Sequence, residues 1–290
     1  MPELPEVETV RIGLAQLLPG KKITKVEYDW PKGFPNSAAD VSAHLIGATI
    51  KAVRRRAKVL LIDLSSDYSL VIHLKMTGQL VFRDEEVRFG AGHPNASLVA
   101  DLPDRSTRVT LLFADGSKLF FNDQRKFGWM RLMPTVEVPN IDFFQKVGPE
   151  PLAADFLAKD FIQRLNRRAK SNIKAALLDQ TVIAGVGNIY ADESLWAAKI
   201  HPLTRVEQLS DAQLKKLYTE LRNILQLSIE KGGSTDRNYV NAEGKKGSYL
   251  SFARVFRREG SACPRCGGTI EKIRVAGRGT HICPVCQVKL

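Results

Sequence analysis

A chain of 290 residues is longer than one small core usually requires, so more than one domain is expected, and 44% hydrophobic with 26% charged residues fits an ordered globular protein. No apolar run approaches the ~18 residues of a membrane span, and the acidic, proline-bearing start MPELPEVETV is unlike a secretory signal, so a cytoplasmic protein is expected. The net charge is +12, with 20 Lys and Arg against 18 Asp and Glu in residues 1–150, 11 against 9 in 151–230, and 12 against 4 in 231–290. A cationic excess gathered in the last sixty residues suits a polyanion, although a solvated basic tail would carry the same charge.

In chain order, Val7, Val10, Leu14 and Leu17 or Leu18 recur at helical spacing and predict a helix over 5–18, stopped by Pro19-Gly20. From about 22 to 133 the pattern turns to short strands, among them KITKVEYDW, TIKAVRRR, KVLLIDLS, YSLVIHLKM and QLVF. TRVTLLFADGSKLFFND reads as a hairpin turning at Asp115-Gly116. Many short strands in this length imply a sandwich. Residues 85–105 read as polar loop, and 134–151, with four prolines, as an interdomain connection. From 153 to 230 the period becomes 3.6, in DFLAKDFIQRLNR, SNIKAALLD, NIYADESLWAAKI and a long last helix ending at Gly232-Gly233. Gly185 and Gly187 allow a close turn before NIYADESLW, and Asn188 is expected to cap that helix.

The four cysteines, Cys263, Cys266, Cys283 and Cys286, form two C-x-x-C knuckles with sixteen residues between them. That spacing suits one tetrahedral zinc ion, and four thiolates leave no open position, so the ion is structural. A disulfide framework fits poorly with a chain that lacks an export signal. Between the knuckles, Arg278 stands between two glycines at a predicted hairpin turn, where it could reach nucleic acid.

Pro2 is a candidate for chemistry, although Met-Pro is also simply how many chains begin. Methionine before proline is normally cleaved, leaving a secondary amine whose reference pKa of ~8 keeps a useful fraction neutral. A neutral amine can attack a sugar carbon and form a Schiff base, and Glu3 or Glu6 beside it can serve as a proton donor.

The start PELPEVET resembles formamidopyrimidine-DNA glycosylases, the bacterial enzymes that remove 8-oxoguanine and ring-opened purines. Further matches follow in order: RRAKVLLIDL, HLKMTGQL, NDQRKFG, GPEPL, VIAGVGNIYADESLWAAKIHP, SIEKGGST and the zinc ribbon. The related endonuclease VIII branch has glycine after the catalytic glutamate, whereas Leu4 here, with Met76, Arg125 and Phe127, is similar to the purine-specific branch. The resemblance implies that Pro2 attacks C1′ and Glu3 moves protons. Lys58 binds the lesion phosphate and assists β-elimination, and Arg278 grips phosphates and assists δ-elimination. It further implies that Asn188 and Lys170 hold the DNA backbone, and that Met76, Arg125 and Phe127 fill the gap left by the extruded base. The stretch NYVNAEGKKGSYLSFARVF would be a lesion-recognition lid. Three departures stand out: Gln124 replaces a usual proline, Ser106 a phosphate-binding histidine with Arg105 or Arg108 as compensation, and Phe256-Arg257-Arg258 a Tyr-Gly-Arg step.

The expectation is thus an α+β multidomain protein. Residues 1–134 form a catalytic β-sandwich domain with a leading helix, and 135–151 a linker. Residues 152–233 form a helix-two-turn-helix domain, and 234–290 the lesion-loop segment and zinc ribbon. It is expected to be a bifunctional glycosylase and abasic-site lyase with one zinc ion, monomeric, in the bacterial cytosol, acting on damaged double-stranded DNA. A non-catalytic zinc-ribbon damage-binding protein on the same scaffold is the alternative.

Overall fold

The computed structural model describes residues 2–93, 96–98, 100–233 and 249–289. Two compact units emerge, and the chain enters each twice: residues 1–145 with 231–248, and 146–230 with 249–290.

The first unit opens with α1 (Leu4–Leu17). Pro5 in its first turn donates no N–H where none is needed, and Glu3 and Glu6 close a capping box, with the Glu3 N–H donating to Glu6 Oε2 at 2.7 Å. Eight strands of the first unit run β1 (Ile23–Tyr28), β2 (Ile50–Arg56), β3 (Val59–Leu64), β4 (Tyr68–His73), β5 (Gly78–Arg83), β6 (Arg88–Gly92), β7 (Thr107–Phe113) and β8 (Lys118–Asp123), before β9 (Trp129–Pro134) completes the set. They pair antiparallel into a five-stranded sheet, β1-β7-β8-β5-β6, and a four-stranded sheet, β2-β3-β4-β9. The Asp115-Gly116 turn joins β7 to β8 as predicted, with Gly116 at φ +84°.

Leu60, Ile62, Leu70 and Ile72 from one sheet and Leu80, Phe82, Leu111 and Phe121 from the other share one core, onto which Val7, Val10 and Leu14 of α1 pack. This is the expected sandwich with its leading helix. The unbroken apolar run of β3 has its own cause. Leu60 and Ile62 face that core, while Val59 and Leu61 face a second cluster with Val138, Phe143 and Phe144. Of the short helical segments that went unread in the sequence, two stand out. One is α2 (Ala38–Asp40), capped by Ser37 and running on through Val41–Leu45. The other lies inside the expected linker, where Thr135–Asn140 coils tightly into α3 (Asp142–Lys146). The linker is therefore partly a packing element: its Val138 and phenylalanines cover the outer face of β3.

The second unit is helical. α4 (Ala158–Asn166), α5 (Ile173–Leu178), α6 (Asn188–Ala198) and α7 (Asp211–Glu230) enclose a core including Phe161, Leu177, Tyr190, Leu195, Leu217 and Leu221. Leu214, Leu217, Leu221, Leu225 and Ser228 make the buried stripe of α7 at helical spacing. The Tyr190 and Ser228 hydroxyls, 2.6 Å apart and buried, join α6 to α7. The ribbon follows as β10 (Glu271–Val275) and β11 (Arg278–Ile282). Among the described residues no helix is long and apolar enough to cross a membrane.

Candidate functional site

In the first unit, Pro2 and Glu3 are buried at the start of α1, and Glu6 beneath them is buried too. Gly233 presses on this turn: at φ +84°, an added Cβ would sit 3.3 Å from the Cα and Oε1 of Glu6. The glycine of SIEKGGST is thus needed for backbone sign and for space. Met1 lies outside the described residues.

Lys58 occupies the second place of the two-residue turn between β2 and β3, whose last rung is Arg56 with Val59. A lysine in such a turn is ordinarily solvated, yet this one is only 6% exposed. His73 pairs with Val59 across β3 and β4. Burial, then the charges of Lys75 and Lys58, push the His73 imidazole down to about 3. Its Nδ1 accepts the Lys75 N–H at 2.9 Å, so the neutral ring carries its proton on Nε2. The sequence reading missed this residue, although it stands at the head of HLKMTGQL.

Met76, Arg125 and Phe127 sit on two loops of this unit that one carboxylate ties together. Asp123, buried at the end of β8, accepts the N–H groups of Phe127 at 2.8 Å and Gly128 at 2.6 Å on Oδ2. Its Oδ1 accepts the Arg125 N–H at 3.2 Å and the Thr77 hydroxyl, and Thr77 Oγ1 itself takes the Arg125 N–H at 3.1 Å. Met76 is half-buried beside Thr77, while Phe127 is 52% exposed with the Arg125 guanidinium 4.8 Å over its ring. Gln124 is exposed, and the adjacent Asp123 holds the loop backbone through these bonds. Gly128 is required by proximity, since a Cβ there would meet Phe121 at 2.7 Å.

Ser106 and Arg108 differ from expectation. Ser106 is buried, its hydroxyl on Asp104 at 2.6 Å and Ser97 at 3.0 Å. The Arg108 guanidinium is turned inward onto the Asp29 carboxylate and the carbonyls of Asp123 and Arg105. Their polar groups bond within the first unit.

In the second unit, Gln180 braces the glycine turn before α6. Its Oε1 accepts the Gly185 N–H at 3.0 Å and its Nε2 donates to the Val186 carbonyl at 2.8 Å. The N-cap of α6 is Gly187, not Asn188. Asn188 is the first helical residue, and its amide donates to the Gly279 carbonyl at 3.0 Å, gripping the ribbon beside Arg278. The extended backbone of Gly187 puts it in the flanking position and Asn188 inside the helix. Ala276 and Gly277, both at positive φ, make the hairpin turn, so Arg278 stands exposed at the first rung beside it. Lys170 is exposed in the turn before α5.

A buried charged cluster, not foreseen, fixes β11 to the helices. The fully buried Lys174 ammonium donates to Asp192 at 2.5 Å and Thr280 at 2.6 Å, and Asp192 accepts the His281 N–H at 2.9 Å. Glu193 accepts the N–H groups of Arg254 at 2.8 Å, Val255 at 2.9 Å and Phe256 at 2.8 Å. Burial pushes its carboxyl up despite those bonds. They anchor the far end of the expected lid, whose residues up to 248 lie outside the described ones.

The four cysteine sulfurs lie within 4.8 Å of one another, with Cys266 to Cys283 at 3.4 Å and Cys263 to Cys286 at 3.9 Å. Zn–S bonds of ~2.3 Å in a tetrahedron imply sulfur separations of about 3.8 Å, while a disulfide requires about 2.05 Å. Gly267, at φ +77°, lets its own N–H and that of Cys263 close the first knuckle. Burial, with the neighbouring sulfurs, pushes the Cys283 thiol up to about 12, so a cation is what allows all four to ionise together. The cysteines hold one structural zinc ion.

Comparison with known proteins covers the whole chain. Residues 1–130 match the formamidopyrimidine-DNA glycosylase N-terminal domain, 147–239 the H2TH domain of the same proteins, and 260–288 the zinc finger found in FPG and IleRS. A formamidopyrimidine-DNA glycosylase of Chloroflexus aurantiacus is 44% identical over 292 residues, covering 100% of this chain and 99% of its own. That of Streptococcus mutans is 42% identical over 288 residues, with 99% of each covered. A Lactococcus lactis FPG mutant crystallised with Fapy-dG-containing DNA superposes with a TM-score of 0.86 at 38% identity, covering 99% of this chain and 100% of that one. MutM bound to carbocyclic 8-oxo-G DNA gives 0.85 at 37% identity, with the same coverage.

Proposed function

We propose that this chain, which belongs to the formamidopyrimidine-DNA glycosylase family, excises oxidised purines from duplex DNA and then cleaves the strand at the abasic site it has made. It is a DNA glycosylase of base excision repair, acting in the cytoplasm of a bacterial cell.

With Met1 removed, the Pro2 nitrogen attacks C1′ of the damaged nucleotide, and the glycosidic C–N bond breaks with its electrons leaving on the base. Glu3 protonates O4′ as the C1′–O4′ bond opens. Because proline is a secondary amine, the product is a cationic iminium, an electron sink that acidifies C2′. Loss of the C2′ proton expels the 3′-phosphate, and a second elimination expels the 5′-phosphate. Lys58 holds the phosphate beside the lesion during the first elimination. Arg278 does so during the second, and Asn188 and Lys170 hold the backbone. Met76, Arg125 and Phe127 fill the vacated stack.

The observation that most supports this reading is the burial of Pro2 and Glu3 at the head of α1 in the unit that also buries Lys58. Fixed placement of nucleophile, acid and cation is what such chemistry needs. The test is reduction with borohydride during reaction with an 8-oxoguanine duplex, which turns the iminium into a stable protein–DNA adduct. Wild type is expected to trap and Pro2→Gly to lose most of the adduct. An untrapped wild type favours a non-catalytic damage binder, and full trapping by Pro2→Gly removes Pro2 as the nucleophile. Mass spectrometry of the natively produced protein is expected to show Met1 absent.

A further inference from the structure

The head of α1 and the Lys58 turn are joined by a short chain of bonds. Glu8, one and a half turns into α1, accepts the Arg55 Nε at 2.7 Å on Oε2, and its Oε1 accepts the Arg11 Nε at 2.8 Å. Arg55 lies near the end of β2 with its side chain 11% exposed, and its Nη1 donates to the Ala57 carbonyl at 2.9 Å. Ala57 is the first residue of the β2–β3 turn and stands at φ +52°, a conformation disfavoured for a residue with a Cβ. Lys58 follows directly. Burial pushes the Glu8 carboxyl up, but the Arg11 and Arg55 bonds outweigh it and hold the group below its usual range. The carboxylate is therefore charged wherever the protein works.

A guanidinium is a flat, rigid fork that can hold two partners at fixed angles, which an ammonium cannot. Here one edge grips the helix that follows Pro2 and Glu3, and another grips the carbonyl just before Lys58. We propose that Arg55 is a positioning residue, fixing the Lys58 ammonium relative to the Pro2 nitrogen by bridging the Glu8 carboxylate and the Ala57 carbonyl. The inference rests on Pro2 and Lys58 being the reacting groups. A purely structural ion pair would need only charge at position 55. A positioning fork needs the second bond as well.

Arg55→Lys separates the two, since it keeps a cation for Glu8 and loses the bond to Ala57. The measurements are single-turnover cleavage of an abasic-site duplex at saturating enzyme, borohydride trapping, the Kd for a tetrahydrofuran abasic analogue, and the thermal midpoint. Arg55→Lys is expected to melt close to wild type, to bind the analogue within about threefold, and to cleave at least about tenfold more slowly, the scale of a small misplacement of reacting groups. Combining it with Glu8→Gln is expected to add little, because both act through one bridge. Cleavage by Arg55→Lys at the wild-type rate overturns the inference, as does a rate loss matched by an equal loss of affinity. Should Arg55→Lys melt early, Glu8→Gln alone carries the test: about a threefold or larger fall in rate with the Kd unchanged supports the bridge, and a wild-type rate removes it. A wild type that fails to trap sinks the reading of Pro2, whereas a trapping wild type beside a full-speed Arg55→Lys sinks only this inference.

Discussion

The loop at 124–128 and the hairpin turn at 275–278 each present an exposed arginine, Arg125 and Arg278, yet they are stiffened by opposite means. The first springs from a five-stranded sheet whose core lies directly below it, so one buried carboxylate, Asp123, is enough to gather the backbone. The second belongs to a ribbon whose apolar cluster holds Trp196, Val255 and Ile270, with two metal-binding cysteines completing it. It needs an ion at one end and a buried charged cluster at the other. A loop over a large core can be ordered by hydrogen bonds, whereas a segment too short for a core of its own borrows order from coordination and charge.

The largest expected effect breaks the ribbon side. Stripping zinc with a chelator removes on the order of 10 kcal/mol of coupled folding energy, so the amide signals of residues 271–282 should collapse and damaged-DNA affinity should fall steeply. Dispersed hairpin amides in the zinc-free protein would show that the charged cluster alone suffices. Next comes Lys174→Ala, which leaves Asp192 buried without its cation and is expected to cost about 3–5 kcal/mol in urea unfolding. Lys174→Met with Asp192→Asn should recover part of that loss. A single variant unfolding like wild type would mean that water or another group takes the place of the ammonium. The smallest effect sharpens the sheet side. Asp123→Ala strands several loop N–H groups and should cost about 1–3 kcal/mol. It should slow 8-oxoguanine excision more than trapping on abasic DNA, where no base has to be extruded.

Much of the sandwich was legible because its signals are local. Asp115-Gly116 announced its own turn, and the two knuckles announced the metal by spacing alone. The helix at 38–45 was missed although Ser37, three residues before Asp40, is a local cap that accepts the Asp40 N–H at 3.0 Å. Other failures were not local. Arg108 reads as a surface cation until Asp29, 79 residues away, is brought beside it. Lys174 reads as the polar edge of a short helix until Asp192 and the ribbon close over it. Asp123 and Thr77 stood inside quoted motifs, but nothing in their spacing says that a hydroxyl from one loop will meet the carboxylate organising another. Coordination and turn chemistry are written in neighbouring residues, while the pairing of buried charges is settled only when distant segments meet.

Asp123 has a kinetic corollary. In the wedge role proposed for it, the turn bearing Arg125 and Phe127 does not have to be shaped anew at each base pair, because it is set by bonds internal to the protein. Ordering entropy has already been spent during folding, so a brief encounter with intact DNA can end without a slow rearrangement. A probe of that kind favours rapid scanning over long residence, which suits an enzyme whose targets are rare among very many sound bases.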